Sequence, residues 1–289
     1  MTDSLKARLL LVMLCLSWGL TWPAMRLALV DFPPFTMRAV SALIGAAAMF
    51  AIAALAGRPV RIPPRDVWPY IFIVSFFTII VFAVCVAFAQ LHTMTGRVAI
   101  IVYTMPIWTG LLSWWFLGER PNAYTAVALA LCCAGMATLI YPLATSGIPL
   151  GIVLALTAAV SWSIGTIYIK TARKDVEPFT LAAWQLITTV VVISAPAIIF
   201  DHSLDLPAIS WEAWAGITFA GLFGSAVAYY LWFQIIRILP ASNAALGALS
   251  SPVIGLISSI FLLGEIPSGT DVVGFALIFA ASFIALLKT

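Results

Sequence analysis

The chain has 289 residues, 63% of them hydrophobic and only 9% charged, with a formal net charge of +3. A soluble domain carries roughly 25% charged residues, so this chain has too few charges to cover a water-exposed surface. The small, scattered positive excess also excludes a nucleic-acid footprint.

A membrane-spanning helix needs about 20 mostly apolar residues. Ten segments qualify: 9–29, 35–56, 69–91, 94–117, 123–143, 150–171, 179–200, 212–237, 241–263 and 270–287. The first follows Lys6 and Arg8 and runs to about Leu29, longer than the ~7–15 residues of a signal-peptide core, and so reads as a retained span. Spans three and four are separated only by His92-Thr93-Met94-Thr95-Gly96-Arg97, and spans eight and nine by Leu239-Pro240-Ala241-Ser242-Asn243. Polar interruptions are too short for a soluble domain. Cys15, Cys85, Cys132 and Cys133 lie in apolar stretches and read as small buried hydrophobes, not as a disulfide framework. Nothing points to a metal or a cofactor. The expected fold is an all-α multi-pass membrane protein.

Charge sets the orientation. Lys6, Arg8, Arg58, Arg61, Arg65, Arg120, Lys170, Arg173, Lys174, Arg237 and Lys288 fall on the side of the N-terminus, and only Arg26, Arg38 and Arg97 on the other. By the positive-inside rule both termini are cytoplasmic.

The chain also repeats itself. Ser17-Trp18 recurs as Ser161-Trp162 and Pro34-Phe35-Thr36 as Pro178-Phe179-Thr180, both at an offset of 144. Leu117-Gly118-Glu119-Arg120-Pro121 recurs as Leu263-Gly264-Glu265-Ile266-Pro267, at an offset of 146. The repeats predict two five-helix units, 1–143 and 150–289. An odd number of spans per unit turns the second unit over. Inverted repeats mark alternating-access transporters, which bind substrate near the midplane between the halves.

Several residues at membrane depth are candidates for the substrate path. Trp68, Trp211 and Trp214 fit interfacial belts, whereas Trp18, Trp22 and Trp162 lie well inside their spans. Trp18 and Trp22 share a helix face. Each either packs or lines a cavity, and Tyr103, Tyr168, Trp184 and Tyr229 are further cavity candidates. Ser17 and Gln185 offer polar groups at depth, where the bland role is helix-to-helix glue worth about 0.6 kcal/mol each. Asn243 reads equally as a helix cap or a substrate contact. Pro23, Pro106 and Pro252 each remove a backbone hydrogen bond, freeing the carbonyls of Gly19, Val102 and Ala248. They predict kinks that make room at the centre or let the helices gate. Gly247, Ser251, Gly255 and Ser259 form a small-residue ladder for close packing, expected to meet span four near Gly110 and Ser113. Arg26 and Arg38 read as snorkelling to the outer headgroups or as attracting a carboxylate at the outer mouth.

No Asp or Glu falls mid-membrane and no His cluster exists, which disfavours a proton relay and an intramembrane hydrolase. The lack of buried charge disfavours strongly charged substrates such as phosphates.

Leu16-Ser17-Trp18-Gly19, Phe32-Pro33-Pro34-Phe35, Pro106 and Leu117-Gly118-Glu119-Arg120-Pro121, with their counterparts in the second half, resemble the drug/metabolite transporter superfamily with two EamA-type repeats. The resemblance covers nearly the whole chain. It implies ten helices as two inverted halves, spans one to four and six to nine surrounding a central cavity, a bacterial inner-membrane location and export of metabolites or drugs. The aromatics make the chain similar to YddG-type aromatic amino acid exporters, which implies neutral and aromatic amino acids as substrates. Broad-specificity efflux of drugs or cationic aromatic compounds is the alternative. Ser163 and Ile266 depart from the pattern of the first half. Besides substrate, the bilayer is the expected partner; a monomer is compatible with all of this.

Overall fold

In the computed structural model, residues 3–58, 60–118, 123–141, 149–172, 174–201, 208–235, 238, 248 and 250–286 are described. Gly247, Asn243, Glu119-Arg120-Pro121 and His202 lie outside the described residues. The described residues are helical throughout, without strands. In lipid this is expected, since an apolar chain must satisfy its own backbone polar groups.

The helices are α1 (Asp3–Ala28), α2 (Pro34–Leu55), α3 (Trp68–Ser75), α4 (Phe82–His92), α5 (Thr95–Val102), α6 (Met105–Leu117) and α7 (Ala123–Ile140). There follow α8 (Leu150–Ala172), α9 (Pro178–Phe200), α10 (Trp211–Gly221), α11 (Ala228–Ile235), α12 (Ser250–Leu263) and α13 (Gly269–Leu286). Wide π turns, Phe76–Val81 and Leu222–Val227, join α3 to α4 and α10 to α11. Among the described residues, seven helical stretches are long and apolar enough to cross a membrane: 8–28, 34–55, 65–92, 95–117, 150–172, 178–200 and 211–235. Three further apolar helices, 126–140, 250–263 and 269–284, are shorter.

The kink expected at Pro106 is a full break of span four. It breaks at Tyr103-Thr104, just ahead of Pro106, which opens α6. Proline has no N–H to bond the carbonyl of Val102, the last residue of α5, and its ring clashes with that carbonyl. The two π turns were not foreseen either; the apolar pattern runs through them unchanged.

Two of the three repeated motifs are helix boundaries; Ser-Trp lies inside α1 and α8. Pro34 and Pro178 start α2 and α9, where a missing N–H costs nothing. In each Pro-Phe-Thr the threonine amide is capped by a carboxylate: Thr36 by Asp201 at 2.6 Å, Thr180 by Glu177 at 2.8 Å. In Leu-Gly-Glu the glycine ends the helix in the left-handed region, with φ 69° at Gly118 and 66° at Gly264, where side-chain-bearing residues are strained.

α1 packs along α10 and α12; α8 packs along α4 and α6. α2 runs along α9, α7 along α13, and α5 along α12. At the π turns the seams interlock. Gly224 faces Thr21 of α1, and Gly165 of α8 faces Thr78. Glycine leaves room for a threonine in both seams, but the two residue types change places between them. The largest apolar core joins Trp22, Met25, Phe32, Val86, Val98 to Val102, Ile152, Ile217 and Phe275. These lie toward the face that carries loop 29–33, outer by the charge rule.

Gly255 lies against Trp22: a Cβ there would sit 2.8 Å from the indole Cδ1. The ladder of α12 therefore meets α1 rather than Gly110 and Ser113. Its contact with span four is made through α5, where Gly96 faces Leu256. The indole fills the groove that the small residues leave, a better use of the glycine than a contact between two small faces.

Candidate functional site

The sequence-predicted aromatics are distributed among several neighbourhoods. Trp18, half-buried, pairs with Trp232 of α11, ring centroids 6.0 Å apart. Trp22 is buried under Gly255. Tyr229 stacks on Phe233, which in turn meets Phe179. Trp184 meets Trp68 edge-on at 4.9 Å, and its indole N–H donates to the carbonyl of Arg61 at 2.7 Å. Tyr168 stacks on Tyr70 at 5.9 Å. Trp184 and Tyr168 thus lie by the inner loops, where a belt residue also sits. Trp162 is half-buried on α8.

Tyr103 and Cys15 are polar neighbours of the buried Ser251, although the Ser251 hydroxyl makes no hydrogen bond of regular geometry among the described residues. This joins α1, α12 and the break in span four. The break is held open by hydroxyls: Ser282 donates to the Tyr103 carbonyl at 2.8 Å and Ser163 to the Met105 carbonyl at 3.0 Å. Ser163, a departure from the first repeat, has this structural use. Gln185 is buried and donates to Thr78 Oγ at 3.2 Å, while Ser161 donates to the Phe77 carbonyl at 2.8 Å. Both reach the first π turn, whose wide geometry leaves carbonyls to be satisfied. Ser17 is buried, and its carbonyl accepts from Thr21. The Gly19 carbonyl, freed by Pro23, faces Gly255. Pro252 is buried in the first turn of α12, beside Ser251, and Ser259 donates to the Gly255 carbonyl at 2.8 Å.

On the outer face, carboxylates tie the elements together. Glu265 accepts from the backbone amides of Thr95 and Gly96, the latter at 2.9 Å. It thereby caps α5 from the loop between α12 and α13. Asp271 accepts from Arg97 Nε at 2.8 Å and from Ser268. Asp31 accepts from the amide and hydroxyl of Ser210, at the start of α10. Those Ser210 bonds hold the Asp31 carboxyl below its ordinary range. Asp201 ties the end of α9 to the start of α2. The large apolar core lies beneath these ties.

Sequence reasoning missed Gln90, and of its two readings of Arg38 the snorkelling one fails. Arg38 does not snorkel: it is only 9% exposed, and its Nη1 meets Met25 Sδ at 2.8 Å. Gln90 is 1% exposed; its side-chain amide N–H donates to the Trp22 carbonyl at 3.0 Å, and its backbone carbonyl accepts from Arg26 at 2.9 Å. One signal was available for Gln90: an amide inside an apolar span is costly unless paired.

The model of the EamA-like transporter family matches the chain twice, over residues 5–141 and 149–287. The chain belongs to this family. YoaV of Bacillus subtilis, described as an uncharacterised transporter, is 26% identical over 259 residues, covering 87% of this chain and 86% of that protein. YedA of Escherichia coli K12, described as an uncharacterised inner membrane transporter, is 27% identical over 273 residues, 94% of this chain and 88% of YedA. A solved crystal structure superposes with a TM-score of 0.66 at 22% identity, covering 97% of this chain and 96% of the other, and so shares the fold. Family and apolar helices together make this a multi-pass protein of the bacterial inner membrane that functions in transport.

Proposed function

We propose that this transporter exports neutral, especially aromatic, amino acids by alternating access. It is built from two inverted five-helix repeats, 1–143 and 150–289, that give ten spans with cytoplasmic termini. The observation that carries the mechanism is the reciprocal packing of the halves. Exchanging each helix for its repeat counterpart turns the seam of α1 on 222–227 into the seam of α8 on 76–81. It also turns the α1–α12 contact into the α8–α6 contact. Related seams let the same surfaces close on one side or the other. The outer carboxylate ties are then the locked gate of an inward-facing or occluded state.

The substrate class is supported by the Trp18–Trp232 pair between α1 and α11, and by Tyr103 at the break in span four. Aromatic faces take aromatic side chains in offset or edge-on contacts. Pro23, Pro106 and Pro252 would supply the bends, and Ser251, Gly255 and Ser259 the rocking surface.

The test is transport in proteoliposomes with a panel of labelled amino acids, with and without a pH gradient. Aromatic amino acid movement without a gradient supports a facilitator. Movement only with a gradient retains the substrate class and adds a coupling ion. No amino-acid movement in either case refutes the reading and brings cationic drugs forward.

A further inference from the structure

We infer that Arg38 and Gln90 form the receptor for the two charged groups of an α-amino acid, the guanidinium for its carboxylate and the amide oxygen for its ammonium. The inference rests on the substrate class proposed above.

The argument begins with an unbalanced charge. Arg38 stands in the second turn of α2 and is 9% exposed. Among the described residues its one hydrogen-bond partner is the Met25 thioether at 2.8 Å, a weak acceptor. Nε and Nη2 have no hydrogen-bond partner among the described residues. An ionisable side chain within a membrane span normally has a partner or a function. The start of α2 adds positive helix-dipole potential and deepens the deficit.

The carboxylates that could neutralise Arg38 are engaged elsewhere. Asp31 holds Ser210, Asp201 holds Thr36, Glu265 holds Thr95 and Gly96, and Asp271 holds Arg97 and Ser268. Glu212, the other described carboxylate on this side, is exposed. The missing counter-ion must therefore come from outside the described residues.

The free atoms define its shape. Nε and Nη2 are adjacent donors on one edge of the guanidinium, the pair that binds a carboxylate through two parallel hydrogen bonds. Nearby is a free acceptor. Gln90 is 1% exposed, and its amide orientation is fixed because Nε2 donates to the Trp22 carbonyl. That leaves Oε1, which has no partner among the described residues. Trp22 and Met25 lie three residues apart on α1, a rise of about 4.5 Å. The guanidinium on the Met25 thioether and the amide on the Trp22 carbonyl are thus held along one stretch of α1, where α2 also packs on α4. An orphan double donor beside an orphan acceptor fits a carboxylate bonded close to an ammonium. A simple anion would leave Gln90 Oε1 unpaired, and an amine would leave Arg38 uncompensated. Lying beneath the outer ties, the pair grips the part common to all amino acids and leaves side-chain choice to the aromatics.

The test uses the full chain, with counterflow of labelled phenylalanine in proteoliposomes and thermal unfolding in chloride-free detergent solution. The added probes are phenylalanine, 3-phenylpropionate (no ammonium), 2-phenylethylamine (no carboxylate) and chloride. Phenylalanine should stabilise most and 3-phenylpropionate less, with no effect from the amine or chloride. Arg38→Lys, which keeps the charge but loses the fork, and Gln90→Leu should each slow counterflow about 10- to 100-fold. Gln90→Glu supplies the missing carboxylate, so it should raise the unfolding temperature yet abolish stabilisation by phenylalanine. A well-folded but non-binding protein separates site loss from misfolding. Counterflow within about twofold of native in both Arg38→Lys and Gln90→Glu overturns the receptor while leaving the transport reading intact. Arg38-dependent stabilisation by chloride alone also overturns it, since the site then holds a resident ion. If the native protein moves no amino acid but 3-phenylpropionate stabilises it through Arg38, the transport reading falls and the carboxylate site stands.

Discussion

Glu265→Gln should unlock the outer face. The carboxylate caps α5 by accepting from the Thr95 and Gly96 amides at once, from a loop 170 and 169 residues further along the chain. A glutamine amide has one acceptor oxygen, and its nitrogen would face backbone donors. The substitution removes one charge-assisted hydrogen bond and the negative charge at a helix start. Together these contribute about 2 kcal/mol, or about 30-fold in the balance between outer-closed and outer-open states. Spin labels at His92 and Ile266, both exposed on this face, would report the separation of the α4 end from the α12–α13 loop. The distance distribution should gain a longer component in Glu265→Gln, with helicity unchanged. An identical distribution in native and variant would refute the idea that this cap holds the face shut.

Gly255→Ala should destabilise the protein. The new Cβ would lie 2.8 Å from Trp22 Cδ1 and 3.5 Å from the Gly19 carbonyl. Overpacking of about 1–3 kcal/mol exceeds the roughly 1 kcal/mol gained in helix propensity. Gly269→Ala, with nothing within 4 Å, is the control, and equal unfolding temperatures for the two variants would mean the seam is loose. Asp31 makes the outer tie sensitive to acid. Because Ser210 lowers its pKa in the folded state, its contribution is present above the ordinary carboxylate range and is lost as pH falls through the lowered value. Thermal unfolding from about pH 6 to about pH 3 should converge with that of Asp31→Asn at the acid end; parallel curves would show that the tie contributes nothing.

How far the sequence is legible depends on the kind of signal. Helix boundaries were readable because they are local. Pro34 and Pro178 start helices through their fixed φ, and Gly118 and Gly264 end them in a conformation that favours glycine. The residues brought together by the fold were less readable. Trp18 and Trp22 share a face, yet one meets Trp232 on α11 and the other slots under Gly255 on α12. Trp184 and Tyr168 have the composition of cavity residues and lie instead with Trp68, Arg61 and Tyr70.

The sequence by itself determined the solvent and the elements. Nine charged residues per hundred cannot cover a water-exposed surface, and long apolar runs in lipid must satisfy their own backbones, here as helices. It also determined the seams in outline, through repeats of residues that start, stop and bend helices. Tertiary structure alone decided which polar groups are paired. The sequence left Arg38 either snorkelling to the headgroups or attracting a carboxylate at the outer mouth. Its orphan donors became visible only when Met25, Gln90 and four committed carboxylates were placed around it. Pairing depends on contacts between residues far apart in the chain, and no local periodicity encodes them.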